Sequence, residues 1–181
     1  MNYRTSFILL VLVIVIGGYV LMFRPRTERE PTPPWLYNIS LFDIASISLT
    51  FLGEREAFVQ TESGWAFEHT GEPVDIERWG GIPLLLAGPQ IERVVKEQID
   101  NPGDFGLDPP QAEIIVTIKG GQKVTTVLGD KTPDGVSHYA QIVGFPQLIL
   151  ISSTWGDVLK RLVTEPPIVI PTLGVVPAPE K

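Results

Sequence analysis

The chain has 181 residues, which suffice for one modest domain beside a short hydrophobic segment, and it contains no cysteine. Without cysteine there can be no disulfide, no thiolate metal site and no thiol nucleophile. After residue 30 the chain holds 10 basic and 19 acidic residues, a formal charge of −9. Such a surplus of negative charge repels phosphate backbones, so we expect no binding to nucleic acid.

The most distinctive feature of the sequence is an apolar run of 19 uncharged residues, Thr5–Phe23. As a helix it is about 28 Å long, close to the hydrocarbon thickness of a bilayer. We therefore expect a transmembrane helix over residues 5–23, preceded by a cytoplasmic tail of residues 1–4. The first alanine is Ala45, so no Ala-x-Ala cleavage site is near and the helix is expected to remain in the mature protein. Gly17 and Gly18 are candidates for close contact with another membrane helix.

The charges beside the apolar run leave its orientation open. Arg24, Arg26 and Arg29 follow it and favour a cytoplasmic C-terminal side. A short N-terminal tail before an uncleaved run is instead typical of a signal-anchor that exports the following residues. Residues 24–38 are charged and then proline-rich, which predicts an extended spacer. Trp35 and Tyr37, at its end, are candidate partner contacts.

Residues 39–164 show the pattern of an α+β domain. Apolar residues alternate with polar ones in short runs between turn residues, which predicts a mainly antiparallel sheet. The predicted strands cover residues 47–51, 57–61, 64–68, 91–95, 112–119, 123–128, 136–143 and 147–151. Two short helices are expected, one of residues 155–163 and an irregular one after Asp75, with Ile76 and Trp79 on its apolar face. Residues 47–95 and 112–163 each run strands and then a helix, which suggests a duplicated unit.

Residues 165–181 form a tail that is apolar but interrupted by proline. Apolar segments outside a predicted core are typical of a surface that meets a partner or a membrane, although they can also wrap around the domain. The candidate partner-binding residues of the tail are Ile168, Ile170, Leu173 and Val175.

The polar residues predict no catalytic, cofactor or metal site. His138 with Asp130 and Asp134 could hold one metal ion, but the two histidines, His69 and His138, are better interpreted as surface loop residues. Acidic residues recur every fourth position from residue 100 to residue 108, and they fit turns rather than a calcium loop. No Gly-x-Ser-x-Gly, Walker or Gly-x-Gly-x-x-Gly sequence is present. We therefore expect a protein that is not an enzyme and needs no cofactor.

A series of short motifs in a fixed order resembles the DUF4340 domain, a bacterial family of unknown function. The motifs are Gly64-Trp65-Ala66-Phe67, Pro73-Val74-Asp75, Arg93-Val94-Val95, Phe105-Gly106-Leu107-Asp108-Pro109-Pro110, Leu128-Gly129-Asp130 and Tyr139-Ala140-Gln141. Similar domains occur beside auxiliary components that resemble ABC-transport and gliding-motility systems. The resemblance implies an N-terminus inside the cell and a C-terminal domain outside the cytoplasm, and it supplies no catalytic residues. The chain departs from the family at Phe105, where a tyrosine is usual.

These observations predict a single-pass protein of the inner membrane that serves as a non-enzymatic accessory or assembly subunit of a larger complex. Its expected partners are integral membrane protein subunits and the lipid bilayer. The alternative is a ligand- or polysaccharide-binding module of an ABC-transport or gliding machine. That alternative requires an aromatic-lined groove on the surface of the domain.

Overall fold

The computed structural model of the chain describes residues 12–13, which are helical, and residues 36–170. In the second range the chain forms eight strands in one antiparallel sheet, together with three α-helices. The strands are β1 (Ile44–Phe51), β2 (Glu54–Thr61), β3 (Gly64–Phe67), β4 (Arg93–Lys96), β5 (Ala112–Ile118), β6 (Lys123–Lys131), β7 (Ser137–Ile142) and β8 (Leu148–Ser152). The helices are α1 (Ile76–Trp79), α2 (Ile82–Ala87) and α3 (Ser153–Thr164), and 3₁₀ turns cover Leu41–Asp43 and Pro102–Phe105.

The strands lie in the order β3-β2-β1-β5-β6-β7-β8-β4. Tight turns join neighbouring strands, and the β5–β6 hairpin turns over Gly120 and Gly121, whose positive φ angles of 102° and 86° suit glycine. The pairing of β1 with β5, in which Ile47 lies opposite Val116, joins the first three strands to the next four. The short strand β4 alone leaves this sequential order and pairs with β8 at the edge of the sheet.

The main core lies on one face of the sheet, beneath α3. Alternation along β1 places Ile47 and Leu49 on this face, where both are buried, and directs Ser48 to the other face. Leu159 and Leu162 of α3 are buried against the same cluster. The amphipathic pattern of a single 12-residue helix therefore covers the centre of the sheet.

The helix expected after Asp75 is divided in two. The Asp75 carboxylate caps α1 by accepting a hydrogen bond from the backbone N–H two residues later, at 3.0 Å. The chain then passes through Gly81, with a φ of 85°, before α2 begins. Within the single turn of α1, Trp79 is buried whereas Ile76 is 80% exposed. The expectation that Ile76 lies on the buried face is therefore wrong.

A smaller apolar cluster lies on the opposite face of the sheet, where the connector between β4 and β5 crosses β6. Its buried members are Leu107, Val127 and Leu148. A Cβ at Gly129 of β6 would overlap the backbone oxygen of Phe105. The connector can therefore rest on the sheet only because residue 129 is glycine.

The structure corrects the expected fold class. In the part of the chain that it describes, the fold is mostly an eight-stranded antiparallel sheet with few helices, and none of these helices is long and apolar enough to cross a membrane. The fold class with an N-terminal transmembrane helix is thus wrong for the described residues, and most of the expected helix of residues 5–23 lies outside them. The duplicated unit is also not seen, since β4 of the first half completes the sheet beside β8 of the second half.

Candidate docking groove

A groove between α2 and α3 is the largest of the cavities in residues 36–170 that we describe, with a volume of about 510 Å³. No charged side chain lines it, although the domain carries an excess of nine negative charges. The lining residues are Gly81, Leu84, Leu85, Gly88, Pro89, Gln90, Ile151, Ser152, Thr154, Trp155 and Val158. An uncharged groove of this size on an acidic surface suits an apolar partner group.

The groove results from three consecutive leucines on a short helix. Successive helical residues point about 100° apart, so Leu84, Leu85 and Leu86 cannot all face the core. Leu86 is fully buried, Leu85 is partly buried and Leu84 is 68% exposed at the rim of the groove. The indole N–H of Trp155 donates a 3.1 Å hydrogen bond to the backbone oxygen of Leu85 and so holds α2 against α3.

A second, smaller cavity of about 210 Å³ lies farther along α3 and shares Val158 with the groove. Its lining includes Arg78, Arg161 and Glu165, so this cavity is charged. The Arg78 guanidinium donates a 2.9 Å hydrogen bond to the backbone oxygen of Glu165. The side of α3 that faces α1 and α2 is therefore apolar towards its N-terminus and charged towards its C-terminus.

A cluster of titratable groups lies beneath α3 and not in the groove. His138 of β7 is 0% exposed, so its interpretation as a surface loop residue is wrong. Asp157 and Lys160 of α3 and Lys131 of β6 surround it. Burial, and next the Lys160 ammonium, lower the pKa of His138 below its ordinary value. His138 lines none of the five cavities described for this domain, so its imidazole is closed to a substrate.

The carboxylates of the other two candidate metal ligands, Asp130 and Asp134, already accept hydrogen bonds within the domain. The Asp130 carboxylate accepts a hydrogen bond from Gln111. Asp134 accepts bonds from the Thr132 hydroxyl and from the backbone N–H of Val136, and these bonds lower the pKa of Asp134. Residues 12–13 and 36–170 contain no group of three His, Asp or Glu side chains placed to hold a metal ion.

Three of the predicted partner-binding residues lie in the described part of the chain. Ile168 pairs with Val74 in an isolated antiparallel bridge and is half exposed, and Ile170 is 75% exposed. Tyr37 is half-buried, and burial raises the pKa of its hydroxyl, which has no hydrogen-bond partner among the described residues. The remaining candidates, Gly17, Gly18, Trp35, Leu173 and Val175, lie outside the described residues.

Leu84 and the groove itself were not predicted from the sequence. One local signal was present, namely the run Leu84-Leu85-Leu86 beside Gly80, Gly81 and Pro83, since a helix this short can bury only part of such a run. The other wall of the groove comes from α3, about 70 residues later in the chain, and no sequence pattern places it there.

The described tryptophans do not form the aromatic surface that the polysaccharide-binding alternative requires. Trp79 and Trp155 are buried, and Trp65 is partly buried with its ring 5.2 Å from that of Trp79. Trp155 lines the groove but is only 5% exposed, and its N–H is already bonded to α2. A sugar ring stacks on an exposed aromatic face, and the buried Trp79 and Trp155 offer none.

The chain matches no protein-family model, no curated protein and no solved structure. The resemblance to the DUF4340 domain therefore stays a prediction that rests on the order of the sequence motifs.

Proposed function

We propose that this chain is a non-enzymatic accessory subunit of a larger membrane protein complex, and that its domain docks on a partner subunit through the groove between α2 and α3. The observation that carries the proposal is the uncharged, apolar lining of this groove, with Leu84 exposed at its rim. The expected occupant is an apolar side-chain cluster of a partner subunit. A location outside the cytoplasm stays a prediction from the sequence.

The placement of the titratable groups supports docking over catalysis. General acid–base chemistry requires a titratable side chain within hydrogen-bond reach of a substrate. His138, the described histidine with the most perturbed surroundings, lies beneath α3 with no solvent access. The groove, which is accessible, offers only neutral Gln, Ser and Thr side chains besides its apolar groups.

The proposal is tested by placing a charge in the groove. Leu84→Asp puts a carboxylate where an apolar partner group would bury the leucine. Loss of such burial is worth about 1.5–3 kcal/mol, so capture of groove partners should fall by about tenfold or more. The measurement is quantitative mass spectrometry of proteins that co-purify with the tagged full-length chain in mild detergent at pH 7.5.

Ile76→Asp is the matched control for this experiment. Ile76 is the more exposed of the two side chains, lies outside the groove, and occupies the first turn of α1, where an acidic residue is favourable. This variant should capture the same proteins as the unmodified chain. Identical capture by the Leu84→Asp and Ile76→Asp variants would remove the groove as the docking site.

A further inference from the structure

The imidazole of His138 is held in a closed site between the sheet and α3. Its strand neighbours are β6 and β8, and α3 covers the ring. A Cβ at Gly156 of α3 would lie 2.7 Å from Cδ2 of the ring and 3.1 Å from a Leu128 methyl group. Because the helix backbone rests directly on the ring, the imidazole can reach water only if α3 moves away.

The two ring nitrogens of His138 have different partners, and those partners fit the neutral imidazole, with Asp157 as the one acceptor near Nε2. Nδ1 lies 3.2 Å from the backbone oxygen of Gly129, which can only accept, so Nδ1 carries the proton. Nε2 lies 3.3 Å from Nζ of Lys160, and an ammonium group can only donate. In the neutral ring Nε2 accepts from Lys160, whereas a protonated Nε2 would lose this bond and could donate only to Asp157.

The charges around the ring do not compensate for a proton on Nε2. On α3, the Lys160 ammonium would face a second cation at hydrogen-bond distance, while Asp157 lies 3.4 Å from Nε2. From β6, Lys131 already binds Asp157 at 2.7 Å, and Asp130 acts on Lys160 rather than on the ring. The strand β8 carries no charged residue, and β7 carries none besides the histidine itself. Protonation would thus add a third cation, besides Lys160 and Lys131, around the one carboxylate of Asp157.

We propose that the contact between His138 and α3 is a pH-sensitive device that holds α3 in place when the imidazole is neutral and releases it when the imidazole is protonated. Since Trp155, Thr154 and Val158 of α3 form one wall of the groove, release of α3 opens the groove. The consequence for partner binding rests on the proposed function, whereas the movement of α3 does not.

The direction of the pH effect follows from proton linkage. In the unfolded or released chain His138 has its ordinary pKa of about 6.5, whereas the closed site holds the pKa below that value. Stability of the closed state is therefore complete above about pH 6.5 and decreases below it. The equilibrium constant for closure falls by up to about tenfold per pH unit in this window.

Hydrogen exchange on the full-length chain tests the device without any partner. Between pH 7.5 and pH 5.0, after correction for intrinsic exchange, α3 should lose more protection than β5, by up to about tenfold per pH unit below pH 6.5. His138→Gln removes the titrating group and should abolish this difference. His69→Gln, which changes the only other histidine, an exposed one, should behave as the unmodified chain does. If α3 of the His138→Gln variant loses as much protection between pH 7.5 and pH 5.0 as α3 of the unmodified chain, the proposal is overturned.

A second measurement decides the case in which His138→Gln fails to fold. In the His69→Gln variant, His138 is the single histidine, and nuclear magnetic resonance can follow its ring alone. Its protonation should occur below pH 6.5 and coincide with the loss of protection in α3. If His138 is protonated while α3 remains protected, the proposed pH-sensitive contact is refuted. The docking proposal does not depend on this result, because Leu84→Asp tests it at pH 7.5.

Discussion

Gly156 shows at the scale of one residue how closely α3 packs on the sheet. In an exposed helix, replacing glycine with alanine stabilises the protein by about 1 kcal/mol. At this position the added methyl group would lie 2.7 Å from the His138 ring. We therefore expect the opposite sign, namely that Gly156→Ala lowers the free energy of unfolding by about 1–3 kcal/mol in urea denaturation at pH 7.5.

The control for this substitution is Thr154→Ala in the same helix. Thr154 is exposed, so its replacement should change the free energy of unfolding by no more than about 0.5 kcal/mol. A stabilised Gly156→Ala variant would mean that α3 lies farther from β7 than the structure shows.

The sequence did not allow us to predict which individual polar residues are buried. His138 stands next to Tyr139 in a run that alternates like any strand, and alternation does not say which face a given strand buries. The face is decided by pairing with β6 and β8 and by coverage from α3, which are contacts between distant residues. Asp75, in contrast, was identified correctly as a helix cap, because capping depends on its immediate neighbours alone.

At the scale of elements, the connector between β4 and β5 depends on one glycine of β6. The backbone oxygen of Phe105 occupies the space that a side chain at residue 129 would need. Since a backbone atom cannot give way as a flexible side chain can, we expect Gly129→Ala to lower the free energy of unfolding by about 3 kcal/mol or more. Urea denaturation measures the loss, and hydrogen exchange should show it first in residues 102–110.

Gly103→Ala is the control within the connector. A Cβ at this position would lie 3.4 Å from the nearest backbone oxygen, an ordinary contact. Its effect should stay below about 1 kcal/mol. If Gly129→Ala proves as mild as Gly103→Ala, the connector does not rest on β6 as described.

The strands were predictable, and their order in the sheet was only partly so. Alternation and the Gly120-Gly121 turn located the β5–β6 hairpin, which the structure confirms. Tight turns likewise imply that consecutive strands are neighbours. The position of β4 beside β8 depends on a pairing of residues more than 50 positions apart, for which the sequence carries no local signal. The expected duplication was wrong for this reason.

At the scale of the whole molecule, the last described residues return to the start of α1. The backbone N–H of Asp75 donates a 2.8 Å hydrogen bond to the backbone oxygen of Pro167, and Ile168 pairs with Val74. These contacts fix the end of the domain against the start of α1. The candidate partner residues Leu173 and Val175 follow this point in the sequence, so a truncation after residue 170 removes them and keeps these contacts.

Removing residues 171–181 should weaken partner capture while the described contacts of residues 167 and 168 with α1 stay in the chain. The reason is that Leu173 and Val175 are lost as apolar groups for a partner. The measurements are urea denaturation and co-purification in mild detergent, with Thr172→Asp as a control against Leu173→Asp and Val175→Asp. If the truncated chain captures every partner of the full chain, residues 171–181 do not contribute to docking, and the groove between α2 and α3 remains as the proposed docking site. If truncation and Leu84→Asp each reduce capture of the same partner, that partner contacts both the groove and the end of the chain.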